Sequence, residues 1–291
     1  MNYITKCGLN LLQKTKLDYF TIRALNNRIC NPLLLKYCWQ KRNYLSYYEQ
    51  YQEWIKKIEK NKIFFKDKRI LDVGAGGSIG LGYFFLKDDY KYWLSTDLHH
   101  DLKVDGKLIR REDYLIKEFF KNFNKNIFND IQIKNHRLIF GRRLNFKLMQ
   151  ITDLAEDLIA NFDIIISSAV LEHIPEHLVE KTMANLKSYL SAGGIMIHEI
   201  DLRDHINAAN PFAFYKYSQE RWDKFTGNTI FYSNRLRLVD YLKIFDKLNL
   251  KIKFSEVNTK FLPARMKINE FFRQYSKEEL EVIRVFIILE K

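Results

Sequence analysis

Proline, glycine and cysteine are all scarce in this chain of 291 residues. Its 4 prolines and 11 glycines leave little material for flexible linkers, collagen-like repeats or low-complexity tracts. Its 3 cysteines, Cys7, Cys30 and Cys38, are odd in number and crowd toward the N-terminus. They make neither a disulfide framework nor a CxxC metal site, and reduced thiols in a cytoplasmic protein are the reading they favour. No window approaches the roughly 18–20 uninterrupted apolar residues of a spanning helix. The opening residues hold no apolar core or small-residue cleavage site, so a secretory signal is not expected.

What is present suits a folded core. Hydrophobic residues make up 47% and charged residues 29%, and the length fits one sizeable domain with insertions or a flanking segment. The net charge of +13 is unevenly placed: residues 1–70 carry 15 Lys+Arg against 5 Asp+Glu, and the other 221 carry 33 against 30. A basic quarter on a near-neutral body implies an anionic neighbour or a solubilising face. Tyr48, Tyr51, Ile55 and Ile58 fall at helical spacing, with Lys56, Lys57 and Lys60 turned elsewhere, which predicts a helix leaning on the core. Residues 1–62 are therefore assigned to a basic helical N-terminal segment. An anionic membrane surface is a candidate contact for it, through its charge and the aromatics Trp39, Tyr44, Tyr47 and Trp54.

From residue 63 onward short apolar runs alternate with helical patterns. Arg69–Val73, Tyr92–Asp97, Arg137–Phe140, Phe146–Ile151, Phe162–Ser167, Ile195–Ile200, Lys251–Val257 and Arg284–Glu290 read as strands. Residues 111–130, 176–190 and 235–249 read as helices, and Gly193-Gly194 as a turn. Such alternation predicts an α/β domain with a mostly parallel sheet covered on both faces. Residues 201–234 are aromatic and polar without clean periodicity, at the carboxyl end of a strand, where ligands bind in open α/β sheets.

The glycine turn after the first strand selects the ligand. Gly74 and Gly76 are followed by Ile79 at the third glycine position, so a dinucleotide fingerprint fails, and there is no G-K-[ST] for a P-loop. Asp72 precedes the turn and would repel pyrophosphate, yet it suits a cationic amino acid end. Asp97 closes the next strand, where a carboxylate accepts both hydroxyls of a ribose. A nucleoside joined to a zwitterionic amino acid, without phosphates, satisfies both.

These residues resemble the class I S-adenosylmethionine-dependent methyltransferases. Ile70–Gly77 looks like their first motif, Asp97 like their ribose-binding acid, and Ile151–Asp157 like their third-strand end. Phe162–Ile174 is similar to their fourth-strand motif, and Leu186–Gly194 to their L-x-P-G-G turn, with Ala192 in place of proline. The resemblance implies a Rossmann-like, doubly wound, mostly parallel seven-stranded sheet with an antiparallel last strand, over residues 63–291, with insertions at about 103–145 and 201–234. It also implies S-adenosyl-L-methionine as cofactor, held by Asp72, Gly74, Ala75, Gly76, Asp97, Leu98, Asp153, Leu154 and Ser168. Asp153 also suits a helix N-cap completed by Glu156.

Methyl transfer from a sulfonium is an in-line displacement governed by positioning, and a hydroxyl acceptor needs a base within reach. Asp204-His205, where the chain leaves the strand after Gly193-Gly194, is the candidate catalytic pair. His173 is a secondary candidate. No metal set is assigned, because strand alternation sends His198 and Glu199 to opposite faces. Residues 204–237 resemble methyltransferases of surface-polysaccharide synthesis. Tyr215, Trp222, Arg235 and Arg237 are the candidate substrate residues, since aromatic faces suit sugar rings and guanidinium groups suit carboxylate or phosphate. The acceptor expected is a sugar in a polysaccharide, glycolipid or nucleotide-sugar. The rival readings are methylation of RNA or a small molecule, and a non-catalytic scaffold of the same fold. Nucleic acid is disfavoured by the lack of an RNA-binding module.

Overall fold

The computed structural model describes residues 44–75, 80–85, 88–98, 131–134, 137–140, 143–153, 155–207, 210–227 and 232–291. The expected helix over 111–130, the segment before residue 44, Gly76 and Leu154 lie outside them.

The chain order is α1 (Tyr44–Lys60), β1 (Arg69–Val73), α2 (Gly80–Phe85), β2 (Tyr92–Asp97), β3 (Ile131–Lys134), β4 (Arg137–Phe140) and β5 (Leu144–Leu148). Then come β6 (Phe162–Ser168), α3 (Glu176–Tyr189), β7 (Leu190–Asp201), α4 (Gln219–Thr226), α5 (Leu238–Lys247), β8 (Lys251–Thr259), α6 (Lys277–Glu281) and β9 (Val282–Glu290). Seven strands form one sheet in the order β5-β2-β1-β6-β7-β9-β8, and β3 pairs with β4 alone. The pairs β5–β2, β2–β1, β1–β6 and β6–β7 are parallel, whereas β9 runs antiparallel between β7 and β8. The expected fold class is the observed one.

The period of two along a strand explains why the central runs are continuously apolar. Ile164 and Ile166 face the layer that holds Tyr51, Trp54 and Ile58 of α1 and Phe84 and Phe85 of α2. Ile165 between them faces the opposite layer, with Val179, Met183 and Leu186 of α3 and Tyr241 and Phe245 of α5. Ile70 and Leu71 divide the same way. Each fully buried aliphatic side chain of this kind contributes roughly 1.5–3 kcal/mol. Beyond the sheet, Phe212, Phe214, Tyr215, Trp222 and Phe272 close a separate aromatic core.

Several boundaries differ from the sequence reading. The third sheet strand is Leu144–Leu148 rather than 146–151, because residues 149–153 turn away from the sheet. Gly193-Gly194 is not a turn between elements: β7 runs from Leu190 through Asp201, and pairing with β6 shifts register between Phe162 and Ile164. Gly193, with φ of 70°, lets the strand accommodate this irregularity. The stretch 201–234 contains the short helical turn Ala213–Lys216 and α4, which follows a Ser218 N-cap. The isolated β3–β4 hairpin adds a strand that the sequence reading had not marked.

Candidate active site

The carboxyl ends of β1, β2, β5, β6 and β7 converge on one edge, as parallel pairing requires. Gly74 follows β1 with φ of 66°, and a Cβ there would lie 2.4 Å from Cγ2 of Val170. The turn after β1 is thus packed directly on the turn after β6, where Ala169 is also left-handed at φ of 54°. Such conformations concentrate where backbone must approach a ligand. Ala75 N–H donates to the Thr96 carbonyl at 3.0 Å, which ties the turn to β2. The Asp72 carboxylate is buried below it and accepts from Ser95 Oγ at 3.3 Å.

Asp97 ends β2, half-buried, and its carbonyl accepts from Met149 N–H at 3.1 Å. Leu98 follows with 59% of its surface exposed, an uncovered apolar face at the mouth of the turn. Asp153 lies in the turn after β5; its N–H donates to Gln150 and its carbonyl accepts from Tyr189 OH at 3.0 Å. The capping box expected for Asp153 and Glu156 does not form, because the helical turn Glu156–Leu158 starts after Ala155 with no side-chain cap. Ser168 ends β6 and accepts a hydrogen bond from Gln50 Nε2, so α1 reaches this edge.

A polar cluster is built from the turn after β6 and the exit of β7. Glu172, His173 and His205 each offer one ligand-type atom within 4.8 Å of the others, and the two imidazole centroids are 4.8 Å apart. His173 Nδ1–H donates to the Tyr232 carbonyl at 2.6 Å, which fixes that ring's tautomer. Asp201 stands 3.7 Å from His205 Nε2, an ion-pair contact rather than a hydrogen bond. Arg203 grips both oxygens of Asp201, Nε donating to Oδ1 at 2.8 Å and Nη2 to Oδ2, the oxygen that faces His205, at 2.5 Å. Burial pushes Glu172 up to about 8, and burial together with the neighbouring His205 pushes His173 down to about 4. Burial acts to lower His205, but the carboxylates of Asp201 and Glu172 outweigh it and raise its pKa. Asp201 also resists burial: Arg203 and His205 hold its carboxyl below the ordinary range.

The expected pairing of Asp204 with His205 is therefore corrected. Asp204 Oδ1 accepts from the N–H groups of Ile206 at 2.7 Å and Asn207 at 3.0 Å, so it caps a turn while Asp201 faces the ring. Sequence adjacency suggested the wrong carboxylate; the i, i+4 spacing of Asp201 and His205 was the signal available. The four candidate substrate residues are corrected too, because they lie inside the protein. Tyr215, Trp222 and Arg237 have no exposed surface and Arg235 retains 2%. Tyr215 OH donates to the Leu280 carbonyl and accepts from Arg237, while Trp222 Nε1 donates to the Ser233 carbonyl at 2.7 Å. Arg235 donates to the Tyr217 carbonyl at 2.8 Å and lies over the rings of Trp222, Phe271 and Phe272. These are guanidinium struts in an aromatic core.

A mostly parallel sheet thus carries the glycine turn and the polar cluster on one edge. A family described as a methyltransferase domain matches residues 44–252, and the chain belongs to it. The fold is similar to a candidate sarcosine dimethylglycine methyltransferase of Galdieria sulphuraria at 11% identity, covering 84% of this chain and 85% of that one, with a TM-score of 0.51. A SAM-dependent methyltransferase of Methanosarcina mazei matches at 14% identity over 78% of this chain and 93% of that one, with a TM-score of 0.46. The CurJ carbon methyltransferase matches at 14% identity and a TM-score of 0.42; the match covers 78% of this chain but only 49% of that longer one. No curated protein matches the chain.

Proposed function

We propose that this chain transfers the methyl group of S-adenosylmethionine to a hydroxyl of a sugar carried on a polysaccharide, glycolipid or nucleotide-sugar. The observation that carries the reading is one sheet edge that bears both the left-handed glycine turn after β1 and a half-buried His–carboxylate cluster.

The residues present fit the cofactor. Gly74 turns the chain out of β1 through a left-handed conformation with its Cα pressed on Val170, and Leu98 offers an apolar face beside the carboxylate that ends β2. Asp97 would hold the ribose hydroxyls, Leu98 and Asp153 the adenine, and the Gly74-Ala75 backbone the methionine part, with Ser168 at the border of the acceptor side. When bound, S-adenosylmethionine supplies an electrophilic methyl on a positive sulfur. His205 is the group placed to receive the acceptor's proton, oriented by Asp201, which Arg203 fixes in turn. The carboxylates and imidazoles of the cluster are acceptors to which sugar hydroxyls can donate. The basic segment before residue 63 suits a phosphorylated or lipid-linked acceptor and contact with an anionic membrane surface.

Calorimetry with S-adenosylmethionine and its demethylated product tests the crevice; no binding to either would end the reading. Mass spectrometry of the surface glycan from a deletion strain should show a lost methyl ether, and an unchanged glycan removes the sugar as acceptor. His205→Ala should lower turnover by about 100-fold or more while leaving cofactor affinity nearly intact; equal turnover would reassign the base. Sedimentation with anionic but not neutral vesicles, reversed by salt, tests the membrane contact.

A further inference from the structure

We propose that Glu172, His173 and His205 form a binding site for one divalent cation of the zinc class, open toward the acceptor. Two imidazoles and one carboxylate are the donor set that first-row transition ions take at sites with an open coordination position. Bond lengths near 2.1 Å place such donors roughly 3–4 Å apart. Here all three fall within 4.8 Å of one another, so small side-chain adjustments close the set.

Two further observations point to a ligand. Glu172 is 2% exposed, and its Oε2 has no hydrogen-bond partner among the described residues. A buried carboxylate oxygen left unpartnered is costly, and a cation is the partner such a group lacks. The Asp201 carboxylate, 3.7 Å from His205 Nε2, leaves Nδ1 as the nitrogen of that ring for a cation. Each donor is also braced from behind, as metal ligands are. Glu172 Oε1 accepts from Asp201 N–H at 3.2 Å, His173 Nδ1–H is fixed on the Tyr232 carbonyl, and Asp201 stands beside His205. Bracing His173 through Nδ1 leaves its Nε2 lone pair available. Glu172 is buried while both histidines are half-buried, so the set is closed on the protein side and accessible on the other.

The purpose of the site, though not its existence, rests on the transferase reading. A hydroxyl coordinated to the cation would become more acidic and release its proton to solvent, since the His205 lone pair would then be held by the cation.

The test uses the full chain, stripped with a chelator and titrated with Zn2+ by calorimetry and with Co2+ by visible absorption. The wild type should take up one equivalent, with the intense Co2+ spectrum of a low-coordinate nitrogen–oxygen site. Glu172→Gln and His173→Gln should weaken binding by roughly 100-fold and Asp201→Asn by roughly 10-fold. His177→Ala, which removes an exposed histidine, should leave it unchanged. Substoichiometric uptake, a hexa-aqua-like spectrum, or equal affinity in all variants overturns the site. The wild-type stoichiometry and spectrum decide even where a variant misfolds. A chain that binds the cation but never S-adenosylmethionine keeps this inference and loses the transferase reading; one that methylates without binding it does the reverse.

Discussion

At Gly74 two constraints meet, a left-handed backbone and the side chain of Val170 pressed against the missing Cβ position. Gly74→Ala should therefore cost about 1–3 kcal/mol and weaken S-adenosylmethionine binding. Adding Val170→Ala should restore part of the stability by making room, without removing the φ penalty; thermal unfolding and calorimetry of both variants check this. His198 tests a different residue-scale effect. It is fully buried, bonded to Ser167 Oγ through Nδ1 at 2.7 Å, and burial holds its pKa down at about 3. The unfolded chain takes up that proton near pH 6.5 and the folded chain does not. His198 thus supports the fold fully above pH 6.5, and the support drains away as pH falls toward 3, by up to about 1.4 kcal/mol per pH unit. His198→Asn should flatten the denaturant-derived stability profile between pH 6.5 and 4 relative to wild type, whatever the carboxylates contribute to both. Parallel profiles would mean that the ring is protonated in the folded state.

Among the elements, strands were the most legible. Three consecutive isoleucines at 164–166 serve two layers at once, so the run could only be a central strand, and β1 and β2 ended on the residues expected. The surroundings of the Glu172–His173 turn were less legible because they depend on segments about 60 residues apart. Asn234 joins them. Its Nδ2 donates to the Leu171 and Ile174 carbonyls, each at 2.9 Å, and its Oδ1 accepts from Leu236 N–H at 3.0 Å and Tyr241 OH at 3.2 Å. Both donors and both acceptors of one amide are used, and nothing in the local sequence marks that. The same holds for Arg235 and Arg237: a sequence cannot say whether a guanidinium near aromatics meets a ligand or a carbonyl. Asn234→Ala should cost about 2–4 kcal/mol by leaving several buried groups unpaired. Asn234→Asp keeps the shape but turns an acceptor toward two carbonyls, so it should destabilise at least as much. Chemical denaturation with circular dichroism separates the pair; a milder Asp variant would show that the clamp's shape, not its donors, holds the turn.

Over the whole molecule, the boundary drawn at residue 62 by charge cuts across the packing. Helix α1 lays Tyr51, Trp54 and Ile58 into the layer that covers one face of the sheet, and all three are fully buried. Trp54 meets the Phe286 ring edge-on at 5.4 Å, and its Nε1 donates to Glu199 Oε2 at 2.8 Å. Lys57 bridges to Glu256 on β8 at 2.7 Å, so the helix touches the far edge of the sheet as well. Lys56 and Lys60 of α1 face outward, while the apolar stripe of the same helix closes the fold. None of the described helices is long and apolar enough to cross a membrane. Trp54→Ala should cost about 3–5 kcal/mol, from the lost core volume. Trp54→Phe keeps most of that volume and should cost about 1–2 kcal/mol, chiefly by taking the indole donor from buried Glu199. If α1 covers the sheet as an integral layer, both losses appear in a single cooperative transition that includes the strands. A separate early transition, with the strand signal unmoved, would instead make α1 an appendage, and the end of β6 would then have to hold its place without the bond from Gln50 to Ser168.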